Sequence, residues 1–171
     1  MTDERLSRPA ALWKQMTEAQ RLDATRAFWA DRDSMMEQAE VLALIARKIN
    51  FRFKSVQTLP TERKVKHLMA LGNVSDSVSG RLLVTYHLAC QRPMMGAFLD
   101  ELGVPHDNGL IAEGETPKLD AEKLAAAAEA LRAKFPAEDV RLYFATLVLQ
   151  DPETWGALGP QLGDAAPAAA S

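Results

Sequence analysis

Apolar residues recur at helical spacings of three and four along most of this 171-residue chain. The stretch from Ser34 to Ile49 shows the pattern most clearly, because further apolar residues around Leu42 widen its stripe to most of the helix surface. We therefore expect this helix to be the centre of the core. Seven or eight such segments, with no internal repeat and no convincing strand pair, predict an all-α fold, an irregular multi-helix bundle with no significant sheet.

Local signals indicate where several of these helices begin and end. Four residues are placed to cap a first turn with a side-chain oxygen: Thr17, Ser34, Ser75 and Asp120. Thr17 with Gln20, and Ser34 with Glu37, also have the spacing of a capping box. Gly72 is placed to end a helix in the left-handed conformation that glycine adopts at low cost.

Two stretches interrupt the helical pattern. Between Asn50 and Leu59, two phenylalanines alternate with Arg52 and Lys54, and we interpret this stretch as an extended connector pinned to the core by its two rings. The other interruption, residues 103–119, is rich in turn-forming and polar residues and is either a linker or a functional loop, with Leu110 and Ile111 attaching it to the core.

The domain organisation that follows is a single helical domain over residues 1–158. The loop at 103–119 separates its main helices from a C-terminal helix pair. Residues 159–171 are mostly Pro, Ala and Gly, and they are predicted to form a disordered tail because they have almost nothing to bury.

Composition places the chain among globular proteins, with 47% hydrophobic and 25% charged residues. No apolar run approaches the roughly 20 residues of a membrane-spanning helix, so we expect no membrane partner. Cys90 is the single cysteine, and no signal sequence is visible. Together these features predict a cytoplasmic location.

Charge is distributed unevenly along the chain. Residues 47–92 contain nine bases and two acids, a net charge of +7, whereas residues 93–171 have a net charge of −8. A basic segment can form an anion-binding face, or it can face an acidic surface of the same domain and be neutralised by it. The second interpretation is preferred, because the whole chain has a net charge of −3. Nucleic acid is therefore a possible partner but not the favoured one.

The segment Leu71–Asp76 resembles a degenerate helix-hairpin-helix, a nucleic-acid-binding motif in which a Gly-rich turn joins two helices. The resemblance implies backbone N–H groups aimed at a phosphate. The candidate anion site consists of Lys64, Lys66, Asn73, Ser75 and Arg81. The segment departs from the motif, since Gly72-Asn73 replaces Pro-Gly, Ser75 replaces the second glycine, and Asp76 would repel an anion. A plain junction between two helices gives a similar string.

Residues with catalytic or metal-binding chemistry are few. His106 and Asp107 lie side by side in the long loop and are a candidate general-base site, although no nucleophile accompanies them. His87 and Cys90 share a helical face but lack the further ligands that zinc needs, and we expect Cys90 to be an inert core residue. We therefore assign no catalytic residue, no cofactor and no metal.

Two pairs of methionines suggest an adaptable apolar surface. A candidate groove for a partner helix or an apolar ligand is formed by Met36, Met94, Met95 and Gly96. The expected function is a non-catalytic helical interaction module that binds a protein partner or itself. The alternatives are binding of nucleic acid or a phosphorylated ligand through segment 47–92, and an enzyme that uses His106 and Asp107.

Overall fold

The protein is all-α, as the hydrophobic pattern predicts. The structure, a computed structural model, describes residues 8–114 and 117–162, and these form ten α-helices and no strand. The backbone contacts divide the chain into two compact units, Met1–Cys90 and Gln91–Ser171. Whether both units belong to one domain, as the sequence predicts, stays a prediction.

Unit 1 contains the first six helices. They are α1 (Pro9–Gln15), α2 (Glu18–Ala30), α3 (Met35–Ile49), α4 (Phe53–Gln57), α5 (Thr61–Met69) and α6 (Asp76–Cys90), with a 3₁₀ turn at Arg32–Ser34 before α3. Helix α6 is the centre of this unit, because α1, α2 and α3 all pack against it. Its buried positions include Leu82, Leu83 and Tyr86, and α2 adds the fully buried Phe28.

The prediction that α3 is the central helix is wrong. It buries one face, which consists of Val41, Leu42, Ile45 and Ala46. Met35 and Met36 at its start are 71% and 85% exposed. Of the residues that widen its stripe in the sequence, Val41 and Ile45 are buried and Leu44 is half-buried, whereas Met35 and Ala39 of the stripe itself are exposed.

Unit 2 contains α7 (Arg92–Leu102), α8 (Ala121–Lys134), α9 (Ala137–Gln150) and α10 (Pro152–Trp155), followed by a 3₁₀ segment at Gly156–Leu162. An aromatic cluster forms its core. The Phe98 ring lies 4.9 Å from that of Phe144, 5.7 Å from that of Tyr143 and 6.0 Å from that of Trp155, centroid to centroid. Burial raises the pKa of the Tyr143 hydroxyl.

The 3₁₀ segment continues four residues into the range for which the sequence predicts a tail. Arg132 donates hydrogen bonds to the side-chain and backbone oxygens of Gln161, and Arg141 Nε donates to the Leu162 carbonyl at 3.2 Å. These two arginines therefore hold the segment against α8 and α9. Residues 163–171 of the predicted tail lie outside the described residues.

Several predicted helix ends are confirmed. Thr17 and Gln20 form a complete capping box, Ser75 Oγ accepts from the Val78 N–H at 3.2 Å, and Asp120 Oδ1 accepts from the Lys123 N–H at 2.7 Å. The predicted cap at Ser34 is wrong, because its hydroxyl instead donates to Asp31.

Gly72 does not end α5, which contradicts the prediction. The helix stops at Met69, and Ala70 beyond it is right-handed. The N–H groups of Ala70 and Leu71 donate back to the carbonyls of Lys66 and Leu68, so this end needs no left-handed residue. The left-handed helix ends of the described chain are instead Asn50 after α3 and Gly103 after α7.

Candidate binding surface

The end of α3 sets the direction of the segment that follows. Asn50 adopts the left-handed conformation with φ of 55°, and the Phe51 N–H donates to the Ala46 carbonyl at 2.9 Å. A hydrogen bond of this kind across a left-handed residue closes a helix end firmly. Phe51 therefore has a fixed position just beyond α3.

Helix α4 follows at once and is held by a single buried side chain. Val56 is fully buried, whereas Phe51 and Phe53 are 55% and 41% exposed. The predicted extended connector pinned by two rings is therefore wrong in both respects. The segment is largely helical, and because Val56 anchors it, the rings are left in contact with solvent.

Three cations lie within four residues of these rings along the chain. Arg47, Arg52 and Lys54 are all exposed, and within the described residues their side chains have no ion pair or hydrogen bond. Residues 41–61 contain no acid at all. We call these five residues, Arg47, Phe51, Arg52, Phe53 and Lys54, the aromatic–basic surface. It offers unneutralised positive charge next to aromatic rings.

The spacing of the two rings follows from the backbone between them. Arg52 is extended, with φ of −72° and ψ of 146°, close to the polyproline II conformation. With a rise of about 3.1 Å per residue, the Cα atoms of Phe51 and Phe53 are about 6 Å apart. The two side chains therefore start close enough together to contact one ligand.

Nearby Lys48 is not part of this surface. Its ammonium donates to the Ala70 carbonyl beyond the end of α5. This contact connects the end of α3 to the end of α5, so the Lys48 ammonium already has a hydrogen-bond partner within unit 1. The role of Lys48 is therefore structural.

The candidate anion site of the sequence is largely occupied by contacts within unit 1. Lys64 Nζ lies 5.5 Å from the centroid of the Trp29 ring, and Asn73 Oδ1 accepts from Lys14 at 2.9 Å. Ser75 caps α6, as described above. Of the predicted set, Lys66 is exposed on α5. Helices α5 and α6 both pack against α2.

Arg81 and Asp76 are also engaged. Arg81 donates to the Asp33 carbonyl at 2.7 Å and lies 3.9 Å from Glu37. Asp76 pairs with Arg8 at 2.7 Å and accepts from the Ala10 N–H. The hydrogen bond from Arg8, then that from Ala10, holds the pKa of the Asp76 carboxyl below its usual range. Asp76 therefore stays ionised at the start of α6, where it would oppose an anion.

The loop site of unit 2 is ordered around His106. The Gly109 N–H donates to His106 Nδ1 at 2.9 Å, so this nitrogen is the acceptor and Nε2 carries the proton. Nε2 in turn donates to Asp100 Oδ1 at 2.8 Å. Both ring nitrogens are thus occupied. Asp107 is exposed and pairs through its backbone with Leu110, in an isolated β-bridge around Asn108-Gly109.

The contacts that attach this loop differ from those predicted. Leu110 is exposed, so it does not attach the loop to the core, whereas Ile111 is half-buried. Gly109 does so instead, because a Cβ built there would lie 2.7 Å from the Met95 Cβ on α7. A Cβ on Gly96 would likewise lie 3.3 Å from the His106 ring. The two glycines therefore let the loop approach α7 closely.

The candidate methionine groove is divided between the units. Met36 is exposed on α3 of unit 1, whereas Met94, Met95 and Gly96 are buried on α7 of unit 2. Met94 and Met95 therefore contribute no open surface to the predicted groove. Both are buried, and Met95 lies beneath Gly109.

Cys90 and His87 do not share an environment. His87 is buried and its Nδ1 lies 2.8 Å from the Leu83 carbonyl, to which it donates. Cys90 is exposed, contrary to the expected core position, because it is the last residue of α6. Partial burial raises the pKa of its thiol. The described residues contain no group of three or more His, Cys, Asp or Glu side chains that could hold a metal.

Comparisons with protein-family models, curated proteins and solved structures found no match to this chain. In residues 8–114 and 117–162, no helix is both long and apolar enough to cross a membrane. The candidate site therefore depends on the geometry alone. The sequence shows the signal for it, two aromatics that alternate with two cations, but exposure of the rings is visible only in the fold.

Proposed function

We propose that this chain is a non-catalytic interaction module that binds a negatively charged partner through the aromatic–basic surface of unit 1. The observation that supports it is the exposure of Phe51 and Phe53 among three cations that have no partner in the described chain. None of these five side chains is buried, and the three cations make no ion pair or hydrogen bond within the described residues. Binding would use them, since aromatic residues and arginine are the side chains that most often dominate interfaces.

The charge of unit 1 supports an anionic partner. Residues 1–90 contain fourteen bases and ten acids, a net charge of +4, whereas residues 91–171 have a net charge of −7. The acidity of the whole chain therefore belongs to unit 2. A local positive field around the aromatic–basic surface would attract anions, and salt would weaken the attraction because the surface is exposed.

A titration with inorganic polyphosphate of about fifteen units tests the charge component alone. We expect the backbone amide signals of residues 47–54 to shift in NMR spectra, and we expect Arg52→Glu to weaken binding. The control is Arg32→Glu, which reverses one exposed arginine before the other end of α3, about 20 Å away. Equal loss in both variants, or shifts that lie elsewhere, would refute this surface.

Self-association is a second candidate, and it is supported by a different observation. Met35 and Met36 present two flexible apolar side chains to solvent at the start of α3. If they form a contact between copies, light scattering should show mass rising with concentration, and Met35→Ser with Met36→Ser should abolish the rise. A monomer at every concentration would exclude this candidate.

A further inference from the structure

We infer that the partner of the aromatic–basic surface is a single-stranded nucleic acid, whose bases stack on Phe51 and Phe53 while its phosphates contact Arg47, Arg52 and Lys54. This inference rests on the proposed function and identifies the class of ligand. It depends on three features of the surface: the alternation of rings and cations, their common exposure, and the absence of acids in residues 41–61.

The alternation matches the chemistry of a nucleic acid strand. Ring, cation, ring and cation follow one another from Phe51 to Lys54, just as base and phosphate groups follow one another along a strand. Surfaces that bind single strands combine stacking aromatics with cations that follow the backbone. An acidic protein segment matches the charge equally well, but it has no regular series of flat aromatic faces.

Single strands are favoured over duplexes because of where the base faces lie. In a duplex each base is stacked between its neighbours, so a phenylalanine on a folded surface reaches only backbone and groove edges. In a single strand the faces are open. The Cα spacing of about 6 Å between the two phenylalanines is close to two stacked layers of about 3.4 Å each. Phenylalanines at this spacing leave room for one base between their rings.

Every group required is available without rearrangement. The three cations have no ion pair to break within the described chain. The two rings are already exposed, so no part of the fold has to open before a ligand can reach them. By contrast, the turn at residues 72–75 would need Asn73 to release Lys14, and Asp76 to be neutralised. The nucleic-acid contact of unit 1 is therefore placed at the end of α3 and not at the turn before α6.

The test is fluorescence anisotropy of the full chain with three labelled 15-nucleotide probes: oligothymidine, oligouridine and a mixed-sequence DNA duplex. We expect the single strands to bind more tightly than the duplex. Their slope of log K against log salt should be about −2, as three phosphate contacts predict. A comparison of thymidine with uridine then distinguishes DNA from RNA as the source of the strand.

Variants separate stacking from charge. Phe51→Ala and Phe53→Ala should each weaken single-strand binding about five-fold or more, because loss of a stacking ring has effects of that size. Duplex binding should not change. Phe53→Leu should weaken single-strand binding nearly as much as Phe53→Ala, since leucine keeps the apolar volume but offers no flat face. The matched control is Met36→Ala, an exposed apolar residue near the other end of α3.

The outcomes distinguish this inference from the proposed function. Equal binding of single strand and duplex, unaffected by the Phe variants, would overturn stacking and leave an anion-binding surface. Polyphosphate binding without oligonucleotide binding would overturn the nucleic acid and leave an acidic protein segment as the partner. No binding of any polyanion would overturn both. Far-UV circular dichroism shows that each variant is folded, as exposed substitutions usually permit.

Discussion

Replacement of Gly109 by alanine should destabilise unit 2 far more than the same change at another left-handed glycine. Gly109 has φ of +89°, and a Cβ there would lie 2.7 Å from the Met95 Cβ, 3.2 Å from the Gly96 nitrogen and 3.3 Å from the Arg92 oxygen. All three atoms are backbone or attached directly to it, so no side chain can rotate out of the way. The loop would have to move off α7, away from its contacts with Arg92 and Gly96.

The magnitude has two components. A non-glycine residue in the left-handed region destabilises the folded state by about 1–2 kcal/mol. The reduced entropy of the unfolded chain offsets about 0.4–1 kcal/mol of this. Overpacking against α7 adds about 1–3 kcal/mol. We therefore expect Gly109→Ala to lower the free energy of unfolding by about 2–4 kcal/mol.

Gly103→Ala is the matched control. Gly103 is also left-handed, with φ of +67°, but a Cβ there has no neighbouring atom within 4 Å. The control should lose about 1 kcal/mol, because only the conformational component remains. Urea denaturation followed by helical circular dichroism gives the free energies, and hydrogen exchange of the α7 amides gives a readout specific to unit 2. Losses within about 0.5 kcal/mol of each other would refute the close approach of the loop.

Three further predictions concern single contacts. Thr17→Ala removes one half of the capping box and should lower the free energy of unfolding by about 1 kcal/mol in urea denaturation; no change would show that the cap is dispensable. Arg8 lowers the pKa of Asp76, so this pair should stabilise the fold at neutral pH, and the stability should be lost as the pH falls through the lowered pKa. The Asp76→Asn variant should therefore have a lower free energy of unfolding at pH 7, and that free energy should change less as the pH falls. If its pH dependence in acid equals that of the unaltered protein, the contribution of the pair is contradicted. Cys90 should react with iodoacetamide without denaturant, but more slowly than a free thiol at pH 8 because its pKa is raised; mass spectrometry measures both rates, and equal rates would argue against the shift.

Features set by a few neighbouring residues could be predicted from the sequence. The caps at Thr17, Ser75 and Asp120 depend on contacts three residues apart, and all three are present. Gly103 ends α7 for an equally local reason, since its missing Cβ permits the left-handed turn. Ser34 fails because Asp31, also three residues away, offers its hydroxyl a competing acceptor.

Features that depend on which side of an element other helices cover could not be predicted. Phe51 and Phe53 are apolar residues of the kind that usually fill a core, yet they are 55% and 41% exposed, whereas Val56 is the buried residue of α4. The apolar stripe of α3 predicts burial on most sides, yet α6 takes the central position in the unit. Periodicity shows that a face is apolar, but it does not show how many neighbours that face has.

The environment of His106 argues for a structural role and against acid–base chemistry. A general base needs a free nitrogen within reach of its substrate, and Nδ1 already accepts the Gly109 N–H while Nε2 donates to Asp100. To take up a proton at Nδ1, the ring would have to release Gly109, whose position against Met95 leaves no room for a side chain. Asp107, the other half of the candidate pair, is hydrogen-bonded through its backbone to Leu110, and the partners of the His106 ring are Asp100 and Gly109. The long loop of unit 2 thus uses its histidine to hold a turn, whereas the cations of the aromatic–basic surface in unit 1 make no such contact within the described residues.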